Sequence, residues 1–81
     1  MNNQESFRVN GQQLVDKIKE IVKEGNARRI LIQNEQGETI LEIPLTIAVI
    51  GTLLVPVIAA VSALAALAVN YTIVVEKKNT P

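Results

Sequence analysis

The polar and apolar positions of this chain change rhythm several times, and each change marks an element. Ser6-Phe7-Arg8-Val9 alternates and predicts a short extended arm. Asn10 then suits a helix N-cap: its side-chain oxygen can accept from the free N–H groups of the first turn, and Gln13 can reach back. Val9 and Leu14 stand where a hydrophobic staple forms. Leu14, Ile18, Ile21 and Val22 recur at helical spacing, with Val15 widening the stripe. Gly25-Asn26 supplies left-handed C-cap chemistry, so an amphipathic helix is predicted from about Gly11 to Glu24.

Two β-branched runs follow, Arg28–Gln33 and Thr39–Ile43, around Asn34-Glu35-Gln36-Gly37. They predict a β-hairpin. Ile30 and Ile32 point to one face and Leu31 to the other, so both faces carry apolar side chains and one helix covers only one of them. The expected second cover is the segment that begins at Pro44-Leu45-Thr46, a helix start with Thr46 near the cap.

From Ile43 to Val75 the chain runs 33 residues without a charged side chain. Within it Ile47, Ile50, Leu54, Val57, Val61 and Leu64 form a bulky helical stripe. Beside it lie the small residues Ala48, Gly51, Thr52, Ala59, Ser62, Ala63 and Ala66. Ala59/Ala63 and Ser62/Ala66 have the spacing that lets two helices approach closely, which makes the seven a candidate helix–helix or oligomer interface. The alanines also serve simply as good helix formers, and both readings stand at this point. Pro56 lacks the N–H that would bond the Thr52 carbonyl and disfavours helical geometry at Val55. The expected outcome is one long apolar helix, kinked or broken near Pro56, with halves of roughly 45–54 and 57–69. Tyr71-Thr72-Ile73-Val74-Val75 is a strong strand signal whose natural partner is the hairpin.

The expected fold class is therefore α+β, in the order amphipathic helix, hairpin, long apolar helix and C-terminal strand pairing with the hairpin. One small domain is expected over 7–76, including the apolar helical segment 45–69, between a flexible N-terminus (1–6) and a polar tail (77–81). A chain of 81 residues is near the lower limit for a self-sufficient core.

A segment this long and this apolar belongs in lipid or under protein on several sides. Its three Ile, four Val and four Leu between Ile47 and Leu67 offer about −3 to −7 kcal/mol on an insertion scale. Pro56, Gly51, Thr52 and Ser62 oppose this and bring the net toward zero. Length and uniformity favour membrane association on the cytoplasmic side, with a transmembrane helix if the kinked segment is continuous. The alternative is a soluble cytoplasmic homo-oligomer that buries the helix between copies. The expected partner is accordingly a lipid bilayer or a second copy of the chain. Met1-Asn2-Asn3-Gln4-Glu5 lacks a basic start and an apolar run, so no signal peptide is expected.

Composition narrows the chemistry. There are no cysteines and no histidines, which removes disulfides and Cys/His zinc sites, and no cofactor is expected. Eight basic and eight acidic residues cancel, and Lys17, Lys19 and Lys23 alternate with Asp16, Glu20 and Glu24. That pattern reads as a solvated helix face and not a phosphate-tracking surface, so no nucleic acid is expected. Ser6 and Ser62 have no base in a recognisable motif. Glu35, Glu38 and Glu42 are too sparse for a calcium loop. Gly11, Gly25, Gly37 and Gly51 are too scattered for a phosphate cradle. Phe7 and Tyr71 read as packing residues. Neither catalysis nor a small-molecule substrate is expected.

The ordered succession of segments resembles a prokaryotic family known as domain of unknown function 4342. The resemblance is carried by Phe7-Arg8-Val9-Asn10-Gly11 and by Glu24-Gly25-Asn26-Ala27-Arg28-Arg29-Ile30. Leu41-Glu42-Ile43-Pro44-Leu45-Thr46, then Leu54-Val55-Pro56 in its Ala-rich run, and Tyr71-Thr72-Ile73-Val74-Val75-Glu76 complete it. It covers about Phe7 to Lys77. It implies a single unit that stands alone or follows a small ubiquitin-associated-like helical module, and it implies no activity, cofactor or catalytic residue.

Overall fold

The computed structural model describes residues 4–78. Strand β1 (Gln4–Asn10) leads into helix α1 (Gly11–Glu24), then the hairpin β2 (Ala27–Gln33) and β3 (Thr39–Pro44). Helices α2 (Ile47–Gly51) and α3 (Leu54–Ala65) precede the last strand, β4 (Asn70–Lys77). The fold is α+β, with one antiparallel sheet in the order β1-β4-β2-β3. The C-terminal strand pairs with β2 of the hairpin as expected, and β1 pairs with its other edge. Residues 1–3 and 79–81, parts of the expected flexible N-terminus and polar tail, lie outside the described residues. Gln4, Glu5 and Ser6 belong to β1, and Lys77 to β4.

Local chemistry accounts for the first helix and the turn. Asn10 accepts from the Gln13 N–H at 2.9 Å, and the Gln13 side chain accepts from the Asn10 N–H at 3.3 Å, which closes a capping box. Gly25 ends α1 at φ 70°, its N–H donating to the Val22 carbonyl at 3.1 Å. At the hairpin the Asn34 side-chain oxygen accepts from the N–H groups of Gln36 and Glu38, at 3.0 and 2.9 Å, an Asx-type turn.

Register explains where the core sits. Phe7, Ile73, Ile32 and Leu41 form one cross-strand row, and Glu5, Val75, Ile30 and Ile43 the next, with Val9 opposite Tyr71. Alternation places these on one face, and α1 and α3 lie side by side over it. Leu14, Ile18 and Ile21 point down from α1; Val57, Ile58, Val61, Leu64 and Ala65 do so from α3.

One expectation is corrected and another is made specific. The apolar segment does not cover the second sheet face; it joins α1 on the first. That face carries most of the bulky strand residues and needs both helices. The other face carries little more than Leu31 and Val74 at its centre. There Arg29 bridges Glu42 at 2.9 Å and Glu76 at 3.4 Å, and Val74 is only 9% exposed without any helix above it. Of the two outcomes expected for the segment, kinked or broken, it is broken. It breaks at Thr52-Leu53, three to four residues before Pro56, where the N–H groups of Thr52 and Leu53 both donate to the Ala48 carbonyl. Pro56 then falls in the first turn of α3, where a missing N–H leaves no helical bond unmade. Among the described residues no helix is long and apolar enough to cross a membrane, so the transmembrane expectation has no element to carry it.

Candidate functional site

The break leaves the apolar segment half covered. The last four members of the predicted bulky stripe, Leu54, Val57, Val61 and Leu64, are buried or half-buried. Its first two members are not. Ile47 is 92% exposed and Ile50 43%, because α2 is a separate five-residue turn of helix that aims them outward. Leu53 and Val55, flanking the break, are 47% and 79% exposed. Four large apolar side chains thus stand in solvent around the α2–α3 joint. Thr46 caps α2 by accepting from the Val49 N–H at 3.2 Å, and Val49 anchors it to the core.

All seven small residues proposed from sequence are exposed: Ala48, Gly51, Thr52, Ala59, Ser62, Ala63 and Ala66. They fall into two groups. Ala48, Gly51 and Thr52 belong to α2 and its end. Ala59, Ser62, Ala63 and Ala66 run along the outward side of α3, and the Ser62 hydroxyl is satisfied by the Ile58 carbonyl at 2.9 Å.

Beside the joint, α1 and α3 leave a cleft of about 340 Å³ lined by Lys19, Val22, Lys23, Leu54 and Ile58. On its other side, a groove of about 260 Å³ runs between the β3 edge and α3, lined mainly by Leu41, Ile43, Pro44, Leu53, Pro56 and Val57. Sequence reasoning placed Lys19 and Lys23 on a solvated face and missed the cleft. The signal was present: the two are four apart, on one side of α1 and astride Val22, so their stems lie over apolar surface while their ammonium groups stay wet. No carboxylate among the described residues pairs with either. Lys17 differs, because it bonds Glu20 at 3.3 Å and stacks over Phe7, 4.1 Å from the ring centroid.

The carboxylates weighed as metal ligands are dispersed. Glu35 accepts from the Asn70 N–H at 3.3 Å, Glu38 from the Asn34 side-chain amide at 3.1 Å, and Glu42 from Arg29. Among the described residues no three His, Cys, Asp or Glu side chains gather around one point. Among the described residues no Asp, Glu, Lys or Arg side chain is buried.

A family model described as a domain of unknown function (DUF4342) matches residues 1–77. No curated protein and no solved structure matches the chain. The match takes in every element that builds the joint, the cleft and the sheet, and the chain belongs to the domain of unknown function 4342 family.

Proposed function

We propose that this chain is a non-catalytic module that docks on the cytoplasmic surface of a lipid bilayer through the α2–α3 joint. It lies in the interface and does not span. One observation carries the proposal: Ile47, Ile50, Leu53 and Val55 project from a single short stretch with no charged residue between Ile43 and Val75. Large apolar side chains grouped on a surface mark a contact site. A docked joint buries them to a depth of about 5–10 Å, as amphipathic interfacial elements do. Helix α3, with 12 residues, is about 18 Å long, well short of a hydrocarbon core of about 30 Å. The sheet, with its exposed polar face, then stays in water and is presented to protein partners.

The exposed stripe Ala59, Ser62, Ala63 and Ala66 favours a second reading, in which two copies pack α3 against α3. Flotation of the full chain with phospholipid vesicles, run beside light scattering in detergent-free buffer, separates the two. Docking predicts that the protein rises with the vesicles and is monomeric without them. A stable dimer that stays below the vesicle band ends the docking proposal in favour of self-association. There, Ala59→Leu or Ala63→Leu shifts the mass back toward the 8.8 kDa monomer.

A further inference from the structure

The joint is apolar, yet the rim beside it is not neutral. We infer that the cleft between α1 and α3 is a site for the anionic headgroup of a phospholipid, held by Lys19 and Lys23 at the moment the joint meets the bilayer. This rests on the docking proposal and adds to it the class of lipid recognised.

Position comes first. Leu54 lines the cleft and is flanked in the chain by Leu53 and Val55, two of the four exposed side chains of the joint. A lipid whose acyl region meets the joint therefore has its headgroup within reach of the cleft mouth. Charge comes second. The chain is neutral overall, so a general positive field does not draw it to an anionic surface. Attraction has to come from local cations that protein carboxylates leave unneutralised. Lys19 and Lys23 meet that condition, as do Arg8, Arg28 and Lys78, whereas Lys17, Arg29 and Lys77 are engaged by Glu20, by Glu42 and Glu76, and by Glu5; of the unengaged cations, Lys19 and Lys23 are the two that line the cleft. Shape comes third. Val22, Leu54 and Ile58 give the cleft an apolar floor under two ammonium groups, an arrangement that suits an amphiphile better than a free anion.

The test measures partitioning of the full chain onto phosphatidylcholine vesicles with and without phosphatidylglycerol. The expected result is clearly tighter binding to the anionic vesicles, an advantage that shrinks as salt rises. Lys19→Gln/Lys23→Gln should then weaken anionic binding roughly thirty-fold, taking about fivefold per lysine near such a surface. Lys19→Arg/Lys23→Arg should keep it. Arg8→Gln, which removes one charge from the opposite face of the sheet, should leave binding within about twofold, against about fivefold for Lys23→Gln alone. Equal binding to both vesicle types overturns the headgroup site and leaves the docking proposal standing. An Arg8→Gln loss as large as that of Lys23→Gln also overturns it, because the effect would then be bulk charge. Binding to neither vesicle removes both.

Discussion

At the scale of single residues, a close approach between the two long helices is made at Gly11. It is buried at the start of α1, and a Cβ there would run into the Ala65 carbonyl oxygen at the end of α3. That end is already crowded with bonds. The Tyr71 hydroxyl donates to the Leu64 carbonyl at 2.5 Å, and the Ala66 and Leu67 N–H groups fold back on Ser62 and Leu64 at 3.1 and 3.2 Å. Ala68 then takes a left-handed φ of 57° to turn the chain into β4. Backbone held this way cannot simply step aside for a methyl group. Gly11→Ala should therefore cost about 1–3 kcal/mol, the range for overpacking a fitted contact, read as a lower urea midpoint with an unchanged slope. An unaltered midpoint would show that α3 slides freely past α1. Gly25 makes a useful contrast, since open space surrounds its missing Cβ and only its left-handed φ favours glycine. In sequence the two glycines look alike. The C-cap role of Gly25 was legible because it depends on neighbours in the chain, whereas the role of Gly11 depends on a residue 54 positions away.

At the scale of elements, legibility follows the same division between local and distant causes. The capping box of α1, its glycine stop, the Asn34 turn and the β-branched run of β4 are each set within a few residues, and each was read correctly. The break in the apolar segment falls three to four residues before Pro56, a detail hidden while proline is weighed only as an interior residue. Thr52 and Leu53 share the Ala48 carbonyl, α2 ends there, and α3 restarts with Pro56 in its first turn. An interior proline costs a helix about 3 kcal/mol, whereas one in the first turn costs little. Pro56→Ala should thus change the unfolding free energy by less than about 1 kcal/mol, measured by chemical denaturation. A gain near 3 kcal/mol would mean that Leu45 to Ala65 is one strained helix after all. The candidate interface divided likewise: spacing put Ala59, Ser62, Ala63 and Ala66 on one side of α3, but it could not tell that α2 would turn Ile47 and Ile50 out.

At the scale of the whole molecule, the decisive fact is which sheet face the helices share. The sequence shows apolar residues on both faces, and from that alone each face needs a helix. Counting side chains by row resolves it: the uncovered face carries little more than Leu31 and Val74 at its centre, on the same face as the Arg29–Glu42 and Arg29–Glu76 pairs, so the apolar segment is free to join α1. Joining α1 gives α3 an outward side, and the joint with α2 carries four exposed apolar side chains. Ile47, Ile50, Leu53 and Val55 stand outside the core cluster. Surface substitutions of this kind usually alter stability within about 0.5 kcal/mol, whereas burying an Ile or Val side chain gains about 1.5–3 kcal/mol. Ile47→Gln and Val55→Gln should therefore leave the urea midpoint almost unchanged while each weakens vesicle binding at least tenfold. If both variants unfold early, the joint belongs to the core and is no docking surface. If both fold well and bind as before, the bilayer touches the molecule elsewhere.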